Sequence, residues 1–197
     1  MRRIIAGRAK GLRLTTPTGD RTRPTTDRVR EAFFSALATW NGTGDQSAEE
    51  HLAGVGFVDL YAGSGAVGLE AASRGASPVV LVEHDGPTAR IAKANANKAR
   101  LSVETVTSSV DAWLARPGGE FDVIWADPPY HLTNDHLKRT LELAMPHLVH
   151  NGMLVIERSA RDPEPTFPPG TENWSRSYGE TALYWCQRTE TPVEEDE

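Results

Sequence analysis

Apolar residues are spaced along this chain in two rhythms. Between residues 57 and 159 the short runs FVDLYA (57–62), VVLVEHD (79–85), VETVTS (103–108), FDVIWA (121–126) and MLVIERS (153–159) read as strands. Several are apolar without strict alternation, as strands buried on both faces are. Between them the spacing lengthens to a helical period in GLEAASRG (68–75), PTARIAKANANKARL (87–101), DAWLA (111–115) and NDHLKRTLELAMPHL (134–148). Such alternation predicts an α/β protein with a doubly wound, mostly parallel sheet. Residues 162–171 are proline-rich and read as a loop. WSRSYGETALYWCQR (174–188) then reads as an antiparallel pair turning near Gly179.

The chain ahead of residue 57 is patterned differently. RIIAGRAKGLRLTT (3–16) reads as two short strands around Ala9–Gly11, a basic hairpin. From Thr25 the period becomes helical, with Val29, Phe33, Ala36, Leu37 and Trp40 on one face, Thr25 or Thr26 as N-cap and Asp27 in the first turn. NGTGDQSAEEHLAGVG (41–56) is polar and glycine-rich and reads as a flexible connection. The closing TPVEEDE reads as a disordered tail. The expected division is a basic extension over 1–24, one domain over 25–189 and an acidic tail over 190–197.

Charge sharpens that division. Residues 1–30 hold nine Arg or Lys against Asp20 and Asp27, or +7, leaving −13 on the remainder of a chain whose net charge is −6. Clustered cations gain by releasing counterions from phosphates, so a nucleic-acid partner is expected. Arg2, Arg3, Arg8, Lys10 and Arg13 are the expected phosphate contacts, with Arg21, Arg23, Arg28 and Arg30 closer to the ligand crevice. Such an arm supplies docking, and its removal is expected to leave cofactor binding intact. At 197 residues, 39% of them hydrophobic, the chain suffices for one well-cored domain. No segment approaches the roughly 20 apolar residues of a membrane span. The opening residues have no signal-peptide pattern, so a cytosolic protein is expected. Cys186 stands alone, which excludes a disulfide within the chain and points to a small buried hydrophobe. The six histidines form no metal-ligand pattern, and His147 and His150 are expected to decorate a helix end.

VDLYAGSGAVGLEAA (58–72) puts Gly63 and Gly65 where strand passes into helix, so a ligand can approach the backbone at a helix N-terminus. Gly63-Ser64-Gly65-Ala66-Val67-Gly68 matches a dinucleotide loop only approximately. Two carboxylates select the ligand. Glu83, twenty residues after Gly63, is placed to accept both hydroxyls of a ribose. Asp59, four residues before Gly63, suits the ammonium of a methionine moiety and opposes a pyrophosphate, which favours S-adenosylmethionine over a nicotinamide dinucleotide.

Asp127-Pro128-Pro129-Tyr130 follows the strand FDVIWA and should face the same crevice, because ligands of such sheets lie beyond the carboxyl ends of the strands. The lone pair of an exocyclic base amine is delocalised into its ring. Asp127 and the Pro128 carbonyl can each accept a hydrogen bond from such an NH₂ and aim its lone pair at a methyl donor. The prolines stiffen the loop, Tyr130 offers a stacking face for a base taken out of its stack, and Asp127 can help with the departing proton.

These motifs resemble the class I S-adenosylmethionine-dependent methyltransferases that modify amino groups through (N/D)-P-P-(Y/F). With AGRAKG at 6–11, RPTTDRVREAFF at 23–34, DLYAGSGAVGLEAASRGA at 59–76 and DPPY at 127–130, the chain resembles the bacterial 16S rRNA (guanine-966 N2)-methyltransferase family. The resemblance implies a seven-stranded Rossmann-like sheet with an N-terminal β-hairpin that engages RNA. It also implies small-subunit rRNA as substrate, cofactor contacts at Asp59, Gly63, Gly65 and Glu83, and a catalytic DPPY loop. Tyr61, Ser64 and His84 adjoin these contacts and are counted with them. For the pair near the adenine the register offers Ser109-Val110, with Asp111-Ala112 two residues later; spacing to Leu114 favours Ser109. Thr25 occupies the place of a threonine that in related enzymes reaches the cofactor carboxylate. Rival readings are an amino-group methyltransferase acting on DNA adenine or protein glutamine, and a non-enzymatic RNA-binding protein that retained the fold. An adenine enzyme usually carries a separate target-recognition domain, for which this chain has no room.

Overall fold

The computed structural model describes residues 2–17 and 26–189. Helix α1 (Asp27–Trp40) is followed by β1 (Phe57–Leu60), α2 (Ala66–Ser73), β2 (Val79–Glu83), α3 (Gly86–Ala99), β3 (Glu104–Thr107), α4 (Val110–Leu114), β4 (Phe121–Ala126), α5 (Asn134–Ala144), β5 (Leu148–Ser159), β6 (Thr171–Tyr178) and β7 (Thr181–Arg188). The seven strands form one sheet in the order β3-β2-β1-β4-β5-β7-β6. Pairings through β5 are parallel, whereas β7 runs antiparallel to both β5 and β6. The order reverses between β1 and β4, and their carboxyl ends open a crevice there.

Each strand divides its side chains between two cores, as the two-residue period requires. Phe57, Val79, Leu81, Val123, Trp125 and Val155 face a cluster completed by α1, α2 and α3. Val58, Leu60, Val80, Val82, Ile124 and Ile156 face one completed by α4 and α5. Thr26 caps α1 by accepting from Val29 N–H at 3.3 Å; Thr25 lies outside the described residues. On α1, Val29, Phe33 and Leu37 are buried with Arg30, Phe34 and Ala38, whereas Ala36 is exposed.

Three expectations are corrected. The basic N-terminal segment is not a separate extension: its arms pair with each other at an antiparallel Arg3–Arg13 bridge, where Ile4 N–H donates to the Leu12 carbonyl at 3.0 Å and Leu14 N–H to the Arg2 carbonyl at 2.9 Å, and the pair is fastened to the domain. The segment's backbone also bonds to the body: Ile5 and Ala6 N–H donate to the Glu70 carboxylate at 2.6 and 2.9 Å, and Arg8 N–H to the Ser73 carbonyl at 2.8 Å. Ile4 and Leu14 enter the α1–α3 core, so residues 2–17 share that core. The 41–56 connection is packed: Leu52 and Val55 are buried, and Thr43 Oγ1 donates to the His51 carbonyl at 2.6 Å. Finally, His147 is buried, with Nε2 2.8 Å from the Leu114 carbonyl and its ring stacked on Trp113; only His150 is exposed. Cys186 is buried.

Gly68 shows how tightly α2 seats on the sheet. A Cβ there would lie 2.2 Å from Leu81 Cδ2 and 3.1 Å from Asp59 Cβ. Gly68→Ala is expected to destabilise the fold by about 1–3 kcal/mol, the usual cost of overpacking a filled core. Urea unfolding measures it; an unchanged midpoint would mean that α2 shifts without penalty.

Candidate active site

The sharp passage from β1 into α2 bends the chain at Tyr61 and at Gly63 and Gly65, whose φ angles are 65°, 55° and 85°. Left-handed backbone is inexpensive for glycine but strained for tyrosine. A Cβ on Gly63 would meet nothing within 4 Å, so its open side faces empty space. Glu83, at the end of β2, clasps the turn: its carboxylate accepts from Gly63 N–H and from Asp85 N–H, both at 2.8 Å, and lies 3.0 Å from Nδ1 of the exposed His84. Asp59 is buried beneath the loop and accepts from Gly68 N–H at 2.8 Å. Burial pushes its pKa up to about 7, opposed by the Gly68 hydrogen bond and assisted by the Glu83 charge.

At the end of β4, Asp127 opens into the same crevice as Asp59, Gly63 and Glu83, a space of about 1060 Å³. Burial, then the nearby charges of Glu157 and Asp59, raise the Asp127 carboxyl well above its ordinary range, while Arg2 and Arg158 act the other way. Pro128 is buried and Pro129 partly so, yet Tyr130 is 59% exposed and can present a ring to an incoming group. The far wall is the start of α4. Ser109 caps that helix through Ala112 N–H at 3.3 Å; Ser109, Val110 and Asp111 line the crevice. Asp111 is engaged by Thr140 Oγ1 at 3.1 Å and by His136 Nε2 at 3.0 Å.

The basic residues separate into two groups. Arg3, Arg8, Lys10, Arg13 and Arg28 are exposed. Arg21 and Arg23 lie outside the described residues. Arg2 turns inward, lines the crevice and donates to Ser64 Oγ at 3.2 Å. Arg30 is corrected as a phosphate contact: it is buried and donates to the Arg3 carbonyl at 3.0 Å and to Asp27 at 2.7 Å. The bond to the Arg3 carbonyl is long-range and leaves no mark in the sequence. Arg30 lines the crevice, and its buried Nε has no partner among the described residues.

Sequence reasoning missed Glu157. It is buried at the end of β5, and a second, smaller space of about 170 Å³ is lined by Asp127, Pro128, Tyr130 and Glu157. The available signal was a carboxylate at the end of an apolar run, as Glu83 ends VVLVE and Asp127 follows FDVIWA. Among the described residues no group of three or more His, Cys, Asp or Glu is placed to hold a metal ion. Nor is any of their helices long and apolar enough to cross a membrane.

A seven-stranded sheet with an antiparallel penultimate strand, a glycine loop clasped by a carboxylate and a second motif at the switch point define a Rossmann-like methyltransferase fold. Magnesium protoporphyrin IX methyltransferase of Synechocystis PCC 6803, solved with bound SAM, shares that fold at 12% identity and a TM-score of 0.61, over 85% of this chain and 87% of that one. The chain belongs to the family described as Conserved hypothetical protein 95, whose model matches residues 2–187. It is 32% identical over 180 residues to Ribosomal RNA small subunit methyltransferase D of Escherichia coli strain K12, covering 88% of this chain and 81% of that protein. The solved structure of yhhF from Escherichia coli superposes with a TM-score of 0.81 at 27% identity, covering 96% of this chain and 99% of the other.

Proposed function

We propose that this protein is a cytoplasmic S-adenosylmethionine-dependent methyltransferase acting on the exocyclic N2 of a guanine in 16S ribosomal RNA, by family resemblance guanine 966. The observation that carries the reading is that Asp127 and the Gly63–Glu83 clasp open into one crevice, which can hold a methyl donor and an amine acceptor together. The relative named Ribosomal RNA small subunit methyltransferase D supports the substrate class.

The crevice fits the cofactor. The open side of Gly63 admits a ligand against the backbone, and the unpartnered Arg30 Nε suits the methionine carboxylate. Asp59 suits the ammonium and Glu83 the ribose hydroxyls, with Ser109 and Val110 beside the adenine. Bound there, S-adenosylmethionine supplies an electrophilic methyl group on a sulfonium. Asp127 and the Pro128 carbonyl accept from the target NH₂ and hold its lone pair toward that methyl, Tyr130 stacks on the base, and Asp127 takes the proton that the nitrogen sheds. The decisive experiment incubates the protein and cofactor with small-subunit particles from cells lacking it, then digests the RNA to nucleosides. N2-methylguanosine is expected; N6-methyladenosine or no methylated product overturns the reading.

The raised Asp59 pKa predicts proton-linked binding. Below about pH 7 the carboxyl is largely protonated, and the cofactor ammonium favours its ionised form, so binding releases a proton. Affinity should therefore rise with pH up to about 7 and level off above it. Calorimetry at pH 6 in two buffers of different ionisation enthalpy reads the released proton; identical heats would place the ammonium elsewhere.

A further inference from the structure

The sheet register places Glu157 beside Asp127. Ala126 is paired with Ile156 across the parallel β4–β5 ladder, so the two carboxylates sit one step beyond a register pair, on strands about 4.8 Å apart. Trp125 and Val155, two residues earlier, both face the α1–α3 core, and the two-residue period projects Asp127 and Glu157 to that same side. Both line the 170 Å³ cavity, on which Tyr130 also borders. Its wall also carries Asp162, 3.2 Å from Arg158, and Glu180, 3.0 Å from Arg161. Arg158 lines the cavity too, and its Nε is buried without a partner among the described residues.

A buried carboxylate, Glu157, beside the half-buried Asp127 is an unusual surface to present to a base. Adenine has an acceptor nitrogen beside its amine, and its lone pair would face a carboxylate across a dehydrated gap, which is repulsive. The edge of guanine that carries the 2-amino group is different: N1–H and N2–H₂ are adjacent donors, complementary to adjacent acceptors. We propose that the 170 Å³ cavity takes this edge of the target guanine, with Glu157 accepting from N1–H while Asp127 and the Pro128 carbonyl accept from the 2-amino group. Glu157 is thereby the residue that specifies guanine, and Asp127 serves the nitrogen that is methylated. The inference rests on the guanine-N2 reading above and adds the element that selects the base.

The test uses the full chain and reconstituted small-subunit particles carrying either guanine or 2-aminopurine at the modified nucleotide. 2-Aminopurine keeps the amine and replaces N1–H by an acceptor. Wild-type protein is expected to prefer guanine by about tenfold to a hundredfold in kcat/KM, the discrimination attached to a hydrogen bond with a charged partner. Glu157→Gln, whose amide can accept or donate, should lose much of its activity on guanine and methylate the two bases at nearly equal rates. Calorimetry with S-adenosylmethionine confirms that the variant is folded. Equal losses on both bases, with the preference preserved, would make Glu157 a structural residue only. Should the variant fail to fold, the wild-type comparison decides by itself, since equal rates on guanine and 2-aminopurine overturn the inference. A wild-type protein that forms no N2-methylguanosine sinks the guanine reading and this inference with it, whereas N2-methylguanosine formed without discrimination sinks the inference alone.

Discussion

Asp127→Ala is expected to lower turnover about 10²–10³-fold, the scale of removing one preorganised partner of a transition state. Cofactor affinity should change by no more than about threefold, since the acceptor serves the target amine. Asp127 is well suited to this separation because it stands in the crevice without bonding the glycine loop, whose clasp is made by Glu83 and whose packing is made by Gly68. Removing it also relieves a half-buried carboxyl that lies near the charges of Glu157 and Asp59, so the variant should be no less stable than the wild type. Asp127→Asn keeps an acceptor but cannot take a proton, and its loss should be smaller. Tyr130→Ala acts on a different quantity: base stacking is worth about 1–3 kcal/mol, so RNA affinity and turnover fall together. Single-turnover methyl transfer and calorimetry separate these effects. Near-normal turnover in Asp127→Ala would require another acceptor at the amine.

How far the sequence could be read followed the range of the interactions involved. FDVIWA coincides with β4, since a strand buried on both faces is a continuous apolar run between polar turns. β5 begins at Leu148, five residues ahead of Met153, because His150, Asn151 and Gly152 interrupt the apolar pattern while the backbone continues. The glycine loop, Glu83 and DPPY were legible because each is a local pattern whose place follows once strand and helix alternate. Glu70 was not. Within GLEAASRG it reads as an ordinary helix residue, and nothing nearby in sequence reveals that its buried carboxylate accepts from Ile5 and Ala6. Arg30 was misassigned for the same reason, and the glycines of 41–56 hid a segment fastened by Leu52 and Val55. Cation counting cannot separate an arginine that meets solvent from one that, like Arg30, satisfies carbonyls 27 and 36 residues away.

That distinction changes what truncation should do. Removing residues 1–20 is expected to destabilise the whole domain and to abolish cofactor binding with it, contrary to the expectation of a separable arm. Ile4 and Leu14 are buried, each worth about 1.5–3 kcal/mol. Glu70 would lose both backbone donors while staying inside the protein with Arg74 at 2.8 Å and Arg30 at 4.0 Å, and Arg30 would lose the Arg3 carbonyl. Each of these lost hydrogen bonds to a buried charge is worth about 1.5–3 kcal/mol. Together these losses are comparable with the roughly 5–15 kcal/mol that holds a domain folded. Urea unfolding should show the truncated chain unfolded or close to it; a folded truncation with normal cofactor affinity would mean the segment is dispensable to the core. Its part in RNA docking therefore has to be tested on the surface. Arg8, Lys10 and Arg13 are exposed, and Arg13 reaches Lys98 through its carbonyl, which a side-chain change leaves in place. Replacing all three by glutamine should spare cofactor binding and cost only the Arg8 Nη2 bond to the Ala72 carbonyl, 3.1 Å long and worth about 0.5–1.5 kcal/mol. It should also flatten the log–log salt dependence of RNA affinity by roughly 0.7 to 0.9 per true phosphate contact. An unchanged slope would assign these three cations to solvent and leave the docking to other surfaces.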